Sequence, residues 1–93
     1  MFVHSARILL RLPSRSLKGK RGIVKSILAR SRNLFNVSSA EVDLQDVYES
    51  AVLGFVTVTE SRAAGRHTME RLEDWIAEER PDVEIVEVDL EER

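Results

Sequence analysis

Residues Ala51–Thr59, AVLGFVTVT, decide the fold, because two sets of side chains alternate along this segment. One set consists of Val52, Gly54, Val56 and Val58, and the other of Leu53, Phe55, Thr57 and Thr59. A period of two residues over this length predicts a β-strand. Before it, the β-branched and small residues of Phe35–Val42 predict another strand, and the polar segment Asp43–Ser50 predicts the connection between the two.

Helices are predicted on both sides of this strand pair. Ser61 is a candidate N-cap for a helix that extends to about Glu79, since Pro81 cannot continue it. Nearer the N-terminus, Ser16 is a candidate N-cap for an amphipathic helix that extends to about Arg32.

The two ends of the chain add one strand each. Phe2–Leu12 alternates with a period of two and stops at Pro13, and Val83–Leu90 alternates in the same way. We expect one domain over residues 1–93, with residues 90–93 as a solvated tail.

The resulting order, β-α-β-β-α-β, predicts an α+β fold of the ferredoxin-like type. Its four-stranded antiparallel sheet has the order 4-1-3-2 and carries both helices on one face. We expect strands one and three to be central and to run in the same direction, and the other sheet face to be open.

The composition excludes several classes of protein. There is no cysteine, which excludes disulfides and thiolate metal sites. The longest uncharged run, Ser50–Thr59, is far shorter than the roughly 20 residues of a membrane helix, and no secretory signal is visible. We therefore expect a cytoplasmic protein without a membrane segment, a metal or a cofactor.

The net charge of −2 hides a strong asymmetry along the chain. Residues 1–40 contain nine basic and no acidic residues, whereas residues 41–93 contain five basic and all sixteen acidic residues. Either a local basic surface attracts phosphates, or the two halves neutralise each other in space.

A basic stripe on the first predicted helix is the leading candidate site. Lys18, Arg21 and Lys25 share one flank of that helix, and Arg15 and Lys20 lie at its start. Such cations bind RNA phosphates in a sequence-tolerant and salt-dependent way. The alternative is a solvated helix face whose charges pair with acids of the second helix.

The open sheet face suggests a second hypothesis. We expect Leu9, Leu53 and Phe55 on this face, where they would serve a protein-interaction module or a homodimer. One aromatic residue is too few for a base-stacking platform of the RNA-recognition type. We expect Arg7 and Arg11 on the same face, paired with Glu87 and Asp89 of the neighbouring strand.

Enzymatic function is not expected. His4 and His67 lie on different elements, and no motif places a carboxylate or nucleophile beside either. We expect both to be structural or surface residues. Glu41 and Asp46 are expected to fix the connection between strands two and three by capping or hydrogen bonding.

Two motifs resemble those of a known family. Ser16–Arg21, SLKGKR, with Lys25-Ser26 after it, resembles the SLKEKR-x-x-x-KS signature that opens the first helix of the YlxP-like family. Phe35–Val42, FNVSSAEV, with Asp46 and Ala51 after it, is similar to that family's FNVSVAEV…D…A region. In the first motif Gly19 replaces the usual acid, which leaves the helix start more basic.

The resemblance implies a small bacterial protein with the ferredoxin-like fold and no established catalytic residues. Genes of this family commonly lie among those for ribosome maturation and translation initiation, including that for ribosome-binding factor A. By association, the resemblance implies ribosomal RNA or the ribosome as the partner.

Overall fold

The computed structural model describes residues Met1–Arg93, and its elements follow the predicted order β-α-β-β-α-β. The elements are β1 (Phe2–Arg11), α1 (Leu17–Leu34), β2 (Ser38–Asp43), β3 (Ser50–Thr59), α2 (Arg62–Glu79) and β4 (Glu84–Glu92). The strand order β2-β3-β1-β4 is the predicted 4-1-3-2 order read from the opposite edge. The α+β ferredoxin-like fold is thus confirmed.

Every neighbouring strand pair in the sheet is antiparallel. The expectation that strands one and three run in the same direction is wrong. The crossover through α1 brings the chain back so that β2 runs parallel to β1, and the connection after β2 then reverses β3 relative to both.

Serine caps begin both helices, as predicted. The Ser16 hydroxyl accepts a hydrogen bond from the Gly19 N–H at 3.0 Å, and the Ser61 hydroxyl accepts one from Ala64 at 3.1 Å. Each cap satisfies one of the N–H groups that a helix start leaves without a partner. α1 ends two residues later than predicted, at Leu34, which delays the start of β2 to Ser38.

The hydrophobic core lies between the helices and one face of the sheet. The register of the central strands pairs Ala6 with Phe55 and Ile8 with Leu53, and all four side chains are buried. The prediction that Leu53 and Phe55 lie on the open face is therefore wrong. Both sides of β3 are apolar, and the larger side chains occupy the core.

Residues 90–93 do not form the expected solvated tail. β4 continues to Glu92, and the Arg93 backbone exchanges two hydrogen bonds with Val3, at 2.7 and 2.8 Å. The side chains there are exposed, but the backbone belongs to the sheet. Neither helix combines the length and the apolar character needed to cross a membrane.

Candidate nucleic-acid interface

Four cations at the start of α1 lie exposed and unpaired. Lys18, Arg21 and Lys25 fall on one flank of the helix, and Arg15 precedes its cap. None of them has a carboxylate oxygen within 4.0 Å. We call Arg15, Lys18, Arg21 and Lys25 the basic surface.

The backbone of α1 adds to the positive character of the basic surface. The first turn of the helix contains no acidic residue, so nothing there offsets the partial positive charge of the helix N-terminus. At 1.5 Å per residue, the rise from Lys18 to Lys25 is about 10 Å. The row is therefore long enough to contact more than one phosphate of a nucleic-acid strand.

Lys20, predicted as a fifth phosphate contact, is not available to one. Its side chain is 1% exposed, and its ammonium group lies 2.9 Å from a carboxylate oxygen of Glu41. The same group donates hydrogen bonds to the backbone carbonyls of Leu44 at 2.5 Å and Val47 at 2.6 Å. The ammonium group is thus held inside the protein by two hydrogen bonds and one ion pair.

The helical spacing of Lys20 was the signal for its burial. Lys20, Val24, Ile27 and Ser31 follow one another at four, three and four residues, and all four are buried. This spacing places Lys20 on the core-facing side of α1 rather than on its basic flank. The position of Lys20 on the helix, and not its charge, therefore decides where its side chain lies.

The connection between β2 and β3 is held through Lys20. Glu41 fixes this connection, as predicted, but it does so through its ion pair with Lys20 rather than by capping. Leu44 has a backbone φ of 58°, a left-handed conformation that is uncommon for residues other than glycine, and its carbonyl is bound by Lys20. Asp46 is exposed and has no cation within 4.0 Å, so the structure gives it no part in fixing the connection.

A groove of about 350 Å³ runs beside the basic surface, between α1 and the edge strand β2. Arg21 and Lys25 line it on the helix side, and Glu41 lies on the strand side. Arg32 also lines the groove and donates a hydrogen bond to the Ser39 carbonyl at 2.6 Å. Arg21 and Lys25 can therefore approach a ligand in the groove as well as one on the outer flank of α1.

The strand-one arginines are paired with acids, but not with the predicted ones. Arg11 contacts Glu84 of β4 at 3.0 Å. Arg7 contacts Asp43 of β2 at 3.0 Å, on the far side of β3. Its register partner on β3 is Gly54, and the space that a side chain would take there is occupied by Val42 of β2, which would lie 3.0 Å from an added β-carbon.

Most of the residues that we predicted for a protein interface on the open sheet face do not lie on that face. Of the three predicted residues only Leu9 lies there, and it is half-buried. Leu53 and Phe55 are 0% and 1% exposed in the core. The exposed apolar side chains of β3 are instead Val56 and Val58.

The two histidines occupy unrelated places. His67 is exposed on α2, whereas His4 is buried under that helix, 3.3 Å from the carboxylate of Glu92. A β-carbon at Gly65 would lie 2.0 Å from Nδ1 of His4, so the glycine makes room for the imidazole ring. No group of three or more His, Asp and Glu side chains could hold a metal ion.

Comparison with known proteins identifies the family. Residues 3–90 match the model of a family described as "Protein of unknown function (DUF503)". The chain is also 39% identical over 57 residues to "Uncharacterized protein YlxP" of Bacillus subtilis (strain 168), a match that covers 61% of this chain and 62% of that protein. The chain therefore belongs to the DUF503 family and is the YlxP-like protein that its two motifs indicated.

Proposed function

We propose that the protein is a non-enzymatic accessory factor that binds RNA or the ribosome through the basic surface. The observation that carries the proposal is the row of four exposed cations without a carboxylate partner on a chain whose net charge is −2. Each of them can neutralise a phosphate without first breaking an ion pair within the protein.

The acidic half of the chain does not neutralise the charge of the basic surface, because several of its carboxylates pair with other cations. Glu79 pairs with Arg30, and Glu92 pairs with Arg62 and lies near Arg66. The basic surface therefore supports a positive local potential, which can steer a polyanion toward a protein of negative net charge.

The chemistry of the four side chains favours binding over catalysis. Ammonium and guanidinium groups hold phosphate oxygens by charge-assisted hydrogen bonds. Glu41, the carboxylate that lines the groove beside Arg21 and Lys25, is held in an ion pair with Lys20, which does not favour a role as a general base. The ribosome enters the proposal through the family resemblance and its gene neighbourhood.

Charge reversal on the basic surface tests the proposal. The measurement is the affinity of the wild type and of the Lys18→Glu/Arg21→Glu/Lys25→Glu variant for ribosomal RNA and isolated ribosomal subunits, over a salt series. We expect the wild type to bind at low salt and the variant to bind at least tenfold more weakly. No wild-type binding at low salt, or equal binding by the variant, would refute the proposal.

Two double variants with the same change in charge distinguish the effect of the basic surface on binding from the effect of the net charge. Lys18→Glu/Lys25→Glu and Arg66→Glu/Arg71→Glu introduce the same change in charge, the second pair on exposed positions of α2. We expect only the first pair to lose most of the affinity. Equal losses would mean that net charge, and not the basic surface, governs binding.

A further inference from the structure

Three successive backbone carbonyls hold the short segment Val47–Glu49 against α1 and the connection between β1 and α1. Val47 accepts a hydrogen bond from the Lys20 ammonium group at 2.6 Å, and Tyr48 accepts one from the Ser14 hydroxyl. Glu49 accepts one from the backbone N–H of Leu12 at 2.8 Å. The backbone on both sides of Tyr48 is therefore held in place.

The side chain of Tyr48 nevertheless points away from the core. It is 45% exposed, and no other aromatic residue of the chain is as open to solvent. The other aromatic residues are buried or half-buried: Phe2, Phe35, Phe55 and Trp75. A fixed backbone that presents a ring to solvent loses little conformational entropy when the ring binds a ligand.

The backbone of Tyr48 lies next to the N-terminal end of the basic surface. Ser14, whose hydroxyl binds the Tyr48 carbonyl, directly precedes Arg15, and both Arg15 and Tyr48 are exposed. An exposed aromatic ring next to cations is the combination that binds single-stranded nucleic acid, because bases stack on the ring while the cations neutralise phosphates.

We propose that Tyr48 stacks on an unpaired base of the bound RNA, so that the ligand is RNA with a single-stranded segment rather than a continuous duplex. This inference rests on the proposed function, since the basic surface must hold the phosphates on either side of that base. In a duplex the faces of the bases are covered by their neighbours, and a side chain can stack only on a base that is unpaired.

The test compares three RNA probes whose strands are all about ten nucleotides long: an oligoadenylate, an abasic strand and a fully paired duplex. We expect the wild type to prefer oligoadenylate over the abasic strand. Tyr48→Ala should weaken binding of oligoadenylate about fivefold or more and leave binding of the other two probes unchanged. Tyr48→Phe, which keeps the ring, should retain the wild-type affinity.

Val47→Ala is the matched control, because Val47 is the neighbouring exposed side chain on the same fastened segment. It should leave binding of all three probes unchanged, and equal melting temperatures should show that neither alanine variant disturbs the fold. If Tyr48→Ala binds oligoadenylate as well as the wild type does, the stacking inference is wrong while the proposed function stands. If the wild type binds none of the probes at low salt, the proposed function fails as well.

Discussion

Lys20→Met distinguishes a structural lysine from a phosphate-binding one. The exchange keeps most of the aliphatic chain of Lys20 and removes its ammonium group, which faces the Glu41 carboxylate and two backbone carbonyls. Glu41 would retain a buried carboxylate oxygen that makes no hydrogen bond and has lost its ion-pair partner. The carbonyls of Leu44 and Val47 would lose their donor at the same time.

The expected cost of Lys20→Met is large for a chain of this size. Removing one partner of a buried ion pair typically costs about 3–5 kcal/mol. Small domains have a total free energy of unfolding of about 5–15 kcal/mol. Since 1 kcal/mol corresponds to about 4–8 °C for a domain of this length, we expect the melting temperature to fall by at least about 12 °C.

Denaturant unfolding followed by circular dichroism measures this cost, with Lys18→Met as the control. Lys18 is exposed and unpaired, so its exchange should change the free energy of unfolding by less than about 0.5 kcal/mol. A second exchange, Glu41→Leu, in the Lys20→Met background should restore part of the lost stability. It removes the carboxylate that the first exchange leaves without its ion-pair partner. A cost below about 1 kcal/mol for Lys20→Met would refute the structural role of this lysine.

Three further exchanges test the packing and the electrostatics. Gly65→Ala should destabilise the protein by about 1–3 kcal/mol in denaturant unfolding, because its β-carbon would lie 2.0 Å from Nδ1 of His4. Gly22→Ala, where a β-carbon meets nothing within 4 Å, should instead stabilise it by about 0.5–1 kcal/mol, and equal effects at the two glycines would contradict both expectations. Hydrogen bonds from Arg80, together with its positive charge, hold the pKa of Asp82 below its ordinary value of 3.8. The contacts with Arg80 therefore stabilise the folded protein fully above pH 3.8, and this stabilisation is lost as the pH falls through the lowered pKa of Asp82. Asp82→Asn should therefore cost about 0.2–1 kcal/mol at neutral pH and nothing in strong acid, and a difference from the wild type that persists in acid would exclude this ion pair as its cause.

The sequence predicts the order of the elements and both helix starts, because alternation and serine caps are local signals. It does not predict which side of β3 faces the core. Val56 and Val58 on one side are as apolar as Leu53 and Phe55 on the other, so only the register with β1 decides the orientation.

The candidate site was predicted in part. Helical spacing correctly groups Lys18, Arg21 and Lys25 on one flank, and the same spacing read from Val24 and Ile27 would have placed Lys20 in the interior. The Ser14 and Lys20 contacts that fasten Tyr48 join residues more than twenty positions apart. No local pattern in the sequence signals such contacts.

The salt dependence of RNA binding tests most directly whether the basic surface holds phosphates. The logarithm of the association constant for a single-stranded RNA is plotted against the logarithm of the salt concentration, for the wild type and for Lys18→Met/Lys25→Met. Four phosphate contacts predict a slope of about −3 for the wild type, and the loss of two contacts predicts about half that slope. A wild-type slope near zero, or the same slope in both proteins, would contradict the account.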